Sequence, residues 1–257
     1  RVVDRQLVLE AEEKEQLRIL LRRYERVSGC RVLSYCLLSN HLHVLLEVPT
    51  GCEKGESLGL SDEELMRRVG GLYSRNATNL VRRERESAKA LISGAYGGVA
   101  HFTKAERMRK GRLGEEALEA IHVRYSYRMH SLSEFFQGML QRFACWFNRE
   151  HGRRGVLWES RFRSVIVEDG LAARTMAAYI DLNPVRAGMV NDPADYRWSF
   201  YGEAVGGGRG AKKAQEGLVR AMYSYGSREV SERSWSQGGV GREYLELKLR
   251  HHSVTRS

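Results

Sequence analysis

Two histidines stand two positions apart in an apolar run, the stretch CLLSNHLHVLLEVP at residues 36–49. Side chains two apart on a β-strand project from the same face, so the imidazoles of His41 and His43 are expected to lie together. Neutral imidazoles that lie close together form a ready pair of metal ligands. The alternative is structural, with one histidine capping a hairpin and the other satisfied in the core. A metal site therefore needs a partner from elsewhere in the chain.

The segment AAYIDLNPVRAG supplies candidates for that partner. Tyr179 and Asn183 are four residues apart and share one face of a helix. Pro184 disfavours helical backbone at the residue before it, so the helix is predicted to end at Asn183. An amide oxygen at the C-terminal end of a helix can bind a cation, and the Tyr179 hydroxyl lies one turn earlier on the same side. Asp181 is a further candidate ligand, although its position turns it away from that face.

The elements that must position these residues follow from the spacing of apolar side chains. Ser39-Asn40 is a tight connection between two strands, which predicts an antiparallel hairpin. Asn183-Pro184 ends the last predicted helix. The predicted elements are a helix at 10–27, strands at 31–38 and 41–48, a helix opened by a capping box at Ser61–Glu64, helical sequence at 66–130, a helix from Ser131 or Ser133 to about 150, a strand at 162–169 and a helix at 171–182. This order predicts an α+β fold, a central antiparallel sheet flanked by helices.

Charge and composition divide the chain further. Its 257 residues carry a net charge of +10, which favours a polyanionic partner, nucleic acid first and an acidic membrane surface second. A merely basic, soluble surface is the alternative. Residues 66–130 hold fourteen Lys and Arg against six Glu, and we interpret about 51–130 as a helical basic insertion. Gly, Ser and charged residues dominate from 203 to 257, an extension with little predicted structure beyond one helix near its end.

The combination of NHLH, LWESRFRSVIVED and YIDLNPVRAGMV followed by DPADYRWSFY resembles the IS200-like tyrosine transposases, in particular their REP-associated branch. These are Y1 transposases of the HUH endonuclease superfamily, and the resemblance covers about residues 1–202 without the insertion. It implies a ferredoxin-like (RRM-like) core for the sheet. One departure is Ser39, where relatives often carry Pro. The chain also begins without Met inside an apparent strand, so we expect the first strand of the sheet to be cut short.

The resemblance also implies roles for individual residues. His41 and His43 match the paired metal ligands, Asn183 matches a polar third ligand, and Tyr179 matches the catalytic nucleophile. The implied cofactor is Mg²⁺ or Mn²⁺, which would polarise the scissile phosphate. The implied product is a 5′-phosphotyrosine with a free 3′-hydroxyl, formed on single-stranded DNA, with a hairpin as the expected substrate. Members of the wider group differ in whether the tyrosine acts in its own or a partner's site, so monomer and homodimer both stay open.

Candidate DNA-binding residues flank the predicted strand at 162–169. Guanidinium groups bind phosphates and aromatic rings stack on unpaired bases, so a mixture of the two predicts a single-strand groove. The alternative is that Trp158 and Phe162 belong to the core and the arginines are solvated. Arg186 is the stronger candidate for a phosphate contact because it follows the Tyr179 helix. The candidates are Arg153, Arg154, Trp158, Arg161, Arg163 and Arg186.

The leading hypothesis is therefore a metal-dependent, single-strand-specific DNA endonuclease and strand transferase. One alternative is a domesticated DNA-binding protein that keeps the fold without turnover. Another is a replication initiator or relaxase of the same nuclease fold, against which the Asn-Pro-Val-Arg-Ala-Gly segment counts. No stretch approaches the roughly 18 apolar residues that cross a bilayer, so no membrane association is expected. The expected location is the bacterial cytoplasm, in association with the nucleoid.

Overall fold

A computed structural model of the chain describes residues 1–51, 56–94, 102–168 and 170–223, together with 235, 243, 244 and 246. Contacts divide the chain into two compact units. The first unit comprises Arg1–Leu21, Arg31–Glu47 and Phe136–Ser257, and the second comprises Arg22–Cys30 and Val48–Phe135. Helix α1, Ala11–Ser28, begins in the first unit and ends in the second. The candidate chemistry from the sequence lies in the first unit, and most of the predicted basic insertion lies in the second.

The first unit is built around an antiparallel hairpin. Its remaining elements are β1 (Arg31–Leu37), β2 (Leu42–Glu47), α5 (Leu132–Glu150, which starts in the second unit), α6 (Leu171–Arg186), α7 (Phe200–Val205) and α8 (Ala211–Met222). Every residue of β1 after Arg31 is buried, whereas β2 is mostly half-buried. Helices α6, α7 and α8 all contact β1, which makes this strand the centre of the core. The hairpin and the helices before and after it agree with the sequence prediction.

The strand predicted at 162–169 is wrong over its described part. Residues 162–168 adopt no regular secondary structure, and Asp169 lies outside the described residues. Val165 and Ile166 are 78% and 101% exposed. The alternation of this segment has the period of a strand, but a strand also requires a neighbouring edge to pair with. Within the described residues, the sheet contains β1 and β2 alone.

The segment after Gly202, for which little structure was predicted, contains a helix that completes the core. Helix α8 packs against β1 at Gly217, where an added Cβ would lie only 2.7 Å from the Val32 carbonyl oxygen. Leu218 of the same helix is fully buried. Further along, the Tyr244 hydroxyl is buried and donates a hydrogen bond to Asp181 Oδ2 at 2.6 Å. This hydrogen bond ties the predicted extension to α6.

Three helices lie wholly within the described part of the second unit, and each is begun by a hydroxyl cap. They are α2 (Asp62–Leu72), α3 (Arg75–Ser93) and α4 (Lys104–Ser126). Ser61, Ser74 and Thr103 accept hydrogen bonds from backbone amides in the first turns, which satisfies donors that the helices leave unpaired. The helix start predicted at Ser61 is confirmed. For α5, Ser131 rather than Ser133 accepts from the Glu134 amide, at 3.3 Å.

Apolar packing and one acidic residue join these three helices. Leu65, Val69, Val81, Ile121 and Met129 form the buried core of the unit. Asp62, at the start of α2, pairs with Arg85 and Lys89 of α3 at 2.6 and 2.5 Å and with His122 of α4 at 2.9 Å. We call Asp62, Arg85, Lys89 and His122 the Asp62 cluster. It cross-links all three helices through a single carboxylate.

The α+β class is thus confirmed, with a two-stranded antiparallel sheet and a predominance of helix in the part of the chain that the structure describes. Within the same ranges, no helix has both the length and the apolar character needed to cross a membrane.

Candidate active site

The hairpin turn brings the two histidines together. The Leu38 amide donates to the His41 carbonyl at 2.8 Å, which closes the turn around Ser39 and Asn40. His41 immediately precedes β2, and His43 lies within it, opposite Cys36. The two imidazole ring centroids are 4.9 Å apart, with the ring planes at 84°. The side chains therefore project from the same side of the hairpin, as their spacing predicts.

Asn40 fixes the proton on His41, a role that the sequence reading missed. The Asn40 side-chain nitrogen donates to the Arg5 carbonyl at 3.0 Å, so the amide oxygen must be the atom that faces His41. That oxygen lies 2.6 Å from His41 Nδ1. An amide oxygen only accepts, so Nδ1 carries the hydrogen and Nε2 carries the lone pair. The sequence places Asn40 directly before His41, but the orientation of the amide depends on the Arg5 carbonyl, 35 positions away.

Both imidazoles are held neutral near pH 7. Burial and, to a smaller extent, the neighbouring His43 lower the pKa of His41, which falls to about 4. Burial likewise lowers the pKa of His43. A neutral imidazole keeps a lone pair, which a metal ligand needs and a protonated imidazole lacks. The pair is therefore in the protonation state that binds a metal ion.

Helix α6 presents Tyr179 beside this pair. Ala177, Ala178 and Ile180 are buried against the core, while Tyr179 is 42% exposed. The centroids of the Tyr179 and His43 rings are 6.4 Å apart. The Arg186 guanidinium carbon lies 4.6 Å from the Tyr179 ring centroid, because residues seven apart return to the same helix face. Four predicted residues, His41, His43, Tyr179 and Arg186, are thus brought into one cluster.

The helix end predicted at Asn183 is wrong, since α6 continues through Pro184 to Arg186. Proline has no N–H to donate to the carbonyl four residues earlier, here that of Ile180. The Asn183 side-chain nitrogen replaces it, donating to Ile180 O at 3.2 Å and to Tyr179 O at 3.0 Å. Asn183 therefore lies in the last turn of the helix, and its side chain satisfies the carbonyl that Pro184 leaves without a donor. Its Oδ1 makes no hydrogen bond within the described residues, and none joins Asn183 to either histidine there.

Asp181 is turned away from this cluster, as its helix position predicts. Its side chain is fully buried. Oδ1 accepts from the Tyr201 amide at 3.0 Å, and Oδ2 accepts from the Tyr244 hydroxyl. Both carboxylate oxygens are therefore used to hold α6 against the following segments. This acid has a structural role and is not a candidate ligand.

The remaining predicted DNA-binding residues do not join the cluster. Arg154, Arg161 and Arg163 are exposed. The Arg153 guanidinium lies 5.5 Å from the Phe147 ring centroid. In the described part of the chain, no hydrogen bond, ion pair or ring contact links these arginines to the histidines or Tyr179. They remain predicted phosphate contacts.

Trp158 is held by the core. Its indole N–H donates to the Leu140 carbonyl at 2.9 Å, and its ring centroid lies 5.6 Å from that of Phe143. The sequence left open whether this ring packs in the core or stacks on a base. These contacts favour packing.

The donor set available to a metal ion is small. Within the described ranges, no group of three or more His, Cys, Asp or Glu side chains is placed to hold one. His41 and His43 offer two neutral imidazoles, and an Asn side chain lies outside that group of residue types. Comparison with family models, with curated proteins and with solved structures finds no match for this chain. Its function must therefore be argued from the site itself.

Proposed function

We propose that this chain is a metal-dependent endonuclease and strand transferase that acts on single-stranded, hairpin-forming DNA with Tyr179 as its nucleophile. The observation that carries the proposal is the cluster in the first unit: two neutral imidazoles, an exposed tyrosine 6.4 Å from one of them, and a guanidinium over the tyrosine ring. The resemblance to the Y1 transposases of the HUH superfamily supports it. The proposal includes their ferredoxin-like core as the finer description of the α+β fold.

The proposed reaction replaces one phosphoester bond with another. The Tyr179 oxygen attacks the scissile phosphorus, and the bond from phosphorus to the 3′ oxygen breaks. Tyr179 loses its proton, the departing 3′ oxygen gains one, and a 5′-phosphotyrosine remains on the enzyme. The new ester conserves the energy of the old one, which permits rejoining to another 3′-hydroxyl. Arg186 binds the phosphate beside the attacking oxygen.

The chemistry of the available donors supports a divalent ion. His41 would bind through Nε2, whose lone pair is fixed by the Asn40 hydrogen bond to Nδ1. His43 and the free Oδ1 of Asn183 complete the proposed set. When bound, Mg²⁺ or Mn²⁺ polarises the scissile phosphate and offsets its developing negative charge. Two nitrogen donors are softer than the usual Mg²⁺ ligands, so Mn²⁺ is expected to support activity at least as well.

A second candidate is a DNA-binding protein of the same fold without turnover. The observation that favours it is the Asn183 side chain, whose nitrogen is engaged by two helix carbonyls. That engagement gives Asn183 a structural purpose independent of any metal. The two candidates differ in whether a covalent bond to DNA forms.

Covalent capture of DNA separates them. The intact protein is incubated with Mn²⁺ and an end-labelled single-stranded oligonucleotide that contains a hairpin, then run on a denaturing gel. The proposal predicts a shifted protein–DNA band for wild type and none for Tyr179→Phe. Tyr127→Phe is the matched control, because Tyr127 is 39% exposed and lies in the other unit. It should retain the band.

Failure of wild type to form an adduct with any divalent ion, while it still binds the oligonucleotide, would leave the DNA-binding candidate. An adduct that survives in Tyr179→Phe would assign the nucleophile to another residue.

A further inference from the structure

The N-terminal part of α4 is a strongly basic helix in which none of the described residues before Gly114 is buried. The buried residues of α4 are Gly114, Ile121 and Ser126, all in its later turns. At Gly114 the helix meets α3, where an added Cβ would lie 2.6 Å from the Ala88 carbonyl oxygen. Residues 104–113 precede that contact and none of them is buried. We call Lys104–Leu113 the basic arm; its cations are Lys104, Arg107, Arg109, Lys110 and Arg112.

Most cations of the basic arm have no acidic partner within the part of the chain that the structure describes. Its single acid, Glu106, accepts hydrogen bonds from the Thr103 amide and hydroxyl, both at 2.8 Å, and so caps the helix. Lys110 lies over the Phe102 ring, 3.4 Å from its centroid. The other four cations have no ion pair within the described residues.

Several cations elsewhere in the second unit are paired with carboxylates. Arg85 and Lys89 bind Asp62, Arg124 binds Glu84, and Arg68 binds Glu64. The basic arm differs from these helices, because four of its five cations have no such carboxylate partner within the described residues.

The cations surround the arm instead of forming a stripe. Successive residues of an α-helix are about 100° apart, which distributes the five cations around the circumference with no gap wider than about 100°. Its two exposed apolar side chains, Met108 and Leu113, point about 140° apart by the same geometry. A helix that lies on a membrane concentrates its apolar residues on one face. The basic arm has no such face.

A surface that is positive on all sides fits a ligand that is negative on two sides. The major groove of B-form DNA is about 12 Å wide and admits one α-helix, with a phosphate backbone along each wall. A-form RNA has a major groove too narrow and deep for a helix. Single strands are usually held by stacking on aromatic rings, and the arm itself contains none.

We propose that the basic arm binds duplex DNA by entering its major groove. This proposal deepens the proposed function and rests on it in one respect, since the duplex would be the stem of the hairpin substrate. The contacts go to phosphates and do not select a sequence. The arm thereby gives the second unit a task that the tyrosine chemistry does not need, which is to hold the double-stranded part of the substrate.

The test measures binding of a short blunt-ended DNA duplex to the full chain carrying Tyr179→Phe, which removes covalent chemistry. Fluorescence anisotropy is recorded between about 50 and 200 mM salt, because each phosphate contact contributes about 0.9 to the slope of log affinity against log salt. The arm variant replaces four unpaired cations: Lys104→Gln, Arg107→Gln, Arg109→Gln and Arg112→Gln. The control variant removes the same charge from exposed positions of the same unit: Arg23→Gln, Arg26→Gln, Arg75→Gln and Arg83→Gln.

The arm variant should bind the duplex at least about tenfold more weakly, with a salt slope reduced by about 3, whereas the control should change affinity by less than about threefold. Circular dichroism should show equal helix content in both. Equal losses in the two variants would overturn the proposal, because general charge would then explain the binding. Equal, arm-dependent binding of double-stranded RNA of the same sequence would overturn the groove assignment. Arm-dependent binding to phosphatidylserine vesicles with no effect on duplex DNA would assign the arm to a membrane surface.

These outcomes are separate from the fate of the proposed function. Arm-dependent duplex binding in a protein that never forms an adduct would refute the endonuclease and leave the arm proposal standing. An adduct at Tyr179 together with an arm that makes no difference to duplex binding would support the endonuclease and refute the arm proposal.

Discussion

The histidine pair of the first unit and the Asp62 cluster of the second unit both gather titratable side chains, but they treat them in opposite ways. In the Asp62 cluster, one carboxylate accepts from Arg85, Lys89 and His122. In the histidine pair, two imidazoles lie 4.9 Å apart and burial keeps them uncharged. One arrangement uses its polar groups to join helices. The other leaves lone pairs available.

This difference assigns the Asp62 cluster to the stability of the fold and makes the histidine pair the candidate for chemistry. A carboxylate that binds two cations and an imidazole in a partly buried position stabilises the fold, since removing it leaves those partners unpaired. Imidazoles with lowered pKa values contribute nothing comparable, because burial opposes their charged form. Groups that the fold orients, as Asn40 orients His41, without consuming their lone pairs are the better candidates for chemistry. We therefore expect substitutions in the Asp62 cluster to lower stability, and substitutions at the histidine pair to lower the cleavage rate.

The largest expected effect comes from removing one imidazole. His41→Ala should lower the rate of oligonucleotide cleavage by at least about 100-fold, because a metal ligand is lost. Binding of the same oligonucleotide should change little, since phosphate contacts supply most of the affinity. Single-turnover cleavage and anisotropy binding provide the two readouts.

His122→Ala is the matched control, because it removes an imidazole from the Asp62 cluster. It should lower the free energy of unfolding and leave the cleavage rate of the folded protein unchanged. Undiminished cleavage in His41→Ala, or in wild type with excess chelator, would contradict the proposal that cleavage requires a metal ion.

The next effect is on stability. Asp62→Asn should lower the free energy of unfolding by about 2 kcal/mol, because three donors lose a charged acceptor. Burial by itself would raise the pKa of Asp62, but hydrogen bonds from Lys89, His122 and Arg85 outweigh it and hold the pKa below the ordinary value of 3.8. The stabilisation is therefore present above that value and is lost as the pH falls through the folded-state pKa. Urea unfolding of both proteins across a pH series measures the difference.

Glu116→Gln serves as the control for charge, since Glu116 is an exposed residue of α4. Its unfolding free energy should match that of wild type within about 0.5 kcal/mol. A difference between wild type and Asp62→Asn that does not shrink in acid would show that the carboxylate charge is not what joins the helices.

The smallest effect concerns orientation. Asn40→Ala should lower the cleavage rate about tenfold, equivalent to about 1.4 kcal/mol, because His41 loses the partner that keeps the proton on Nδ1. Asn40→Asp keeps an acceptor at that position and should restore most of the rate. The concentration of Mn²⁺ that gives half-maximal cleavage should rise for alanine and not for aspartate. Equal losses in both variants would mean that Asn40 acts only through the Arg5 carbonyl and the hairpin turn.

The local patterns of the sequence predicted much of this structure. The hairpin at Ser39-Asn40, the side shared by His41 and His43, and the helix that carries Tyr179 all follow from periods of two or about 3.6 residues within one element. Arg186 was predicted as a phosphate contact, but its position over the Tyr179 ring was not stated. The role of Asn40 depends on the Arg5 carbonyl, which is 35 positions away in the chain, and no local pattern reveals it.

Apart from the end of α6, the errors depend on contact partners that are distant in the sequence. Residues 162–168 have the alternation of a strand, but no neighbouring edge in the described structure pairs with them. The end of α6 was predicted from Pro184, whose missing donor is supplied by the side chain of Asn183. Helix α8 was missed because Gly, Ser and charged residues dominate the segment from 203 to 257 as a whole, although Gly217 is what allows the close approach to β1. The Asp62 cluster joins three helices and could not be read from any one of them.

The central claim is that Tyr179, beside the histidine pair, forms a covalent bond to DNA. The most direct measurement is mass spectrometry of the digested protein after incubation with Mn²⁺ and a hairpin-bearing single-stranded oligonucleotide, with the attached nucleotide located on a peptide. The account predicts a nucleotide joined through its 5′ phosphate to Tyr179 and to no other tyrosine. A nucleotide on a different residue, or a cleaved oligonucleotide with no modified peptide, would contradict it.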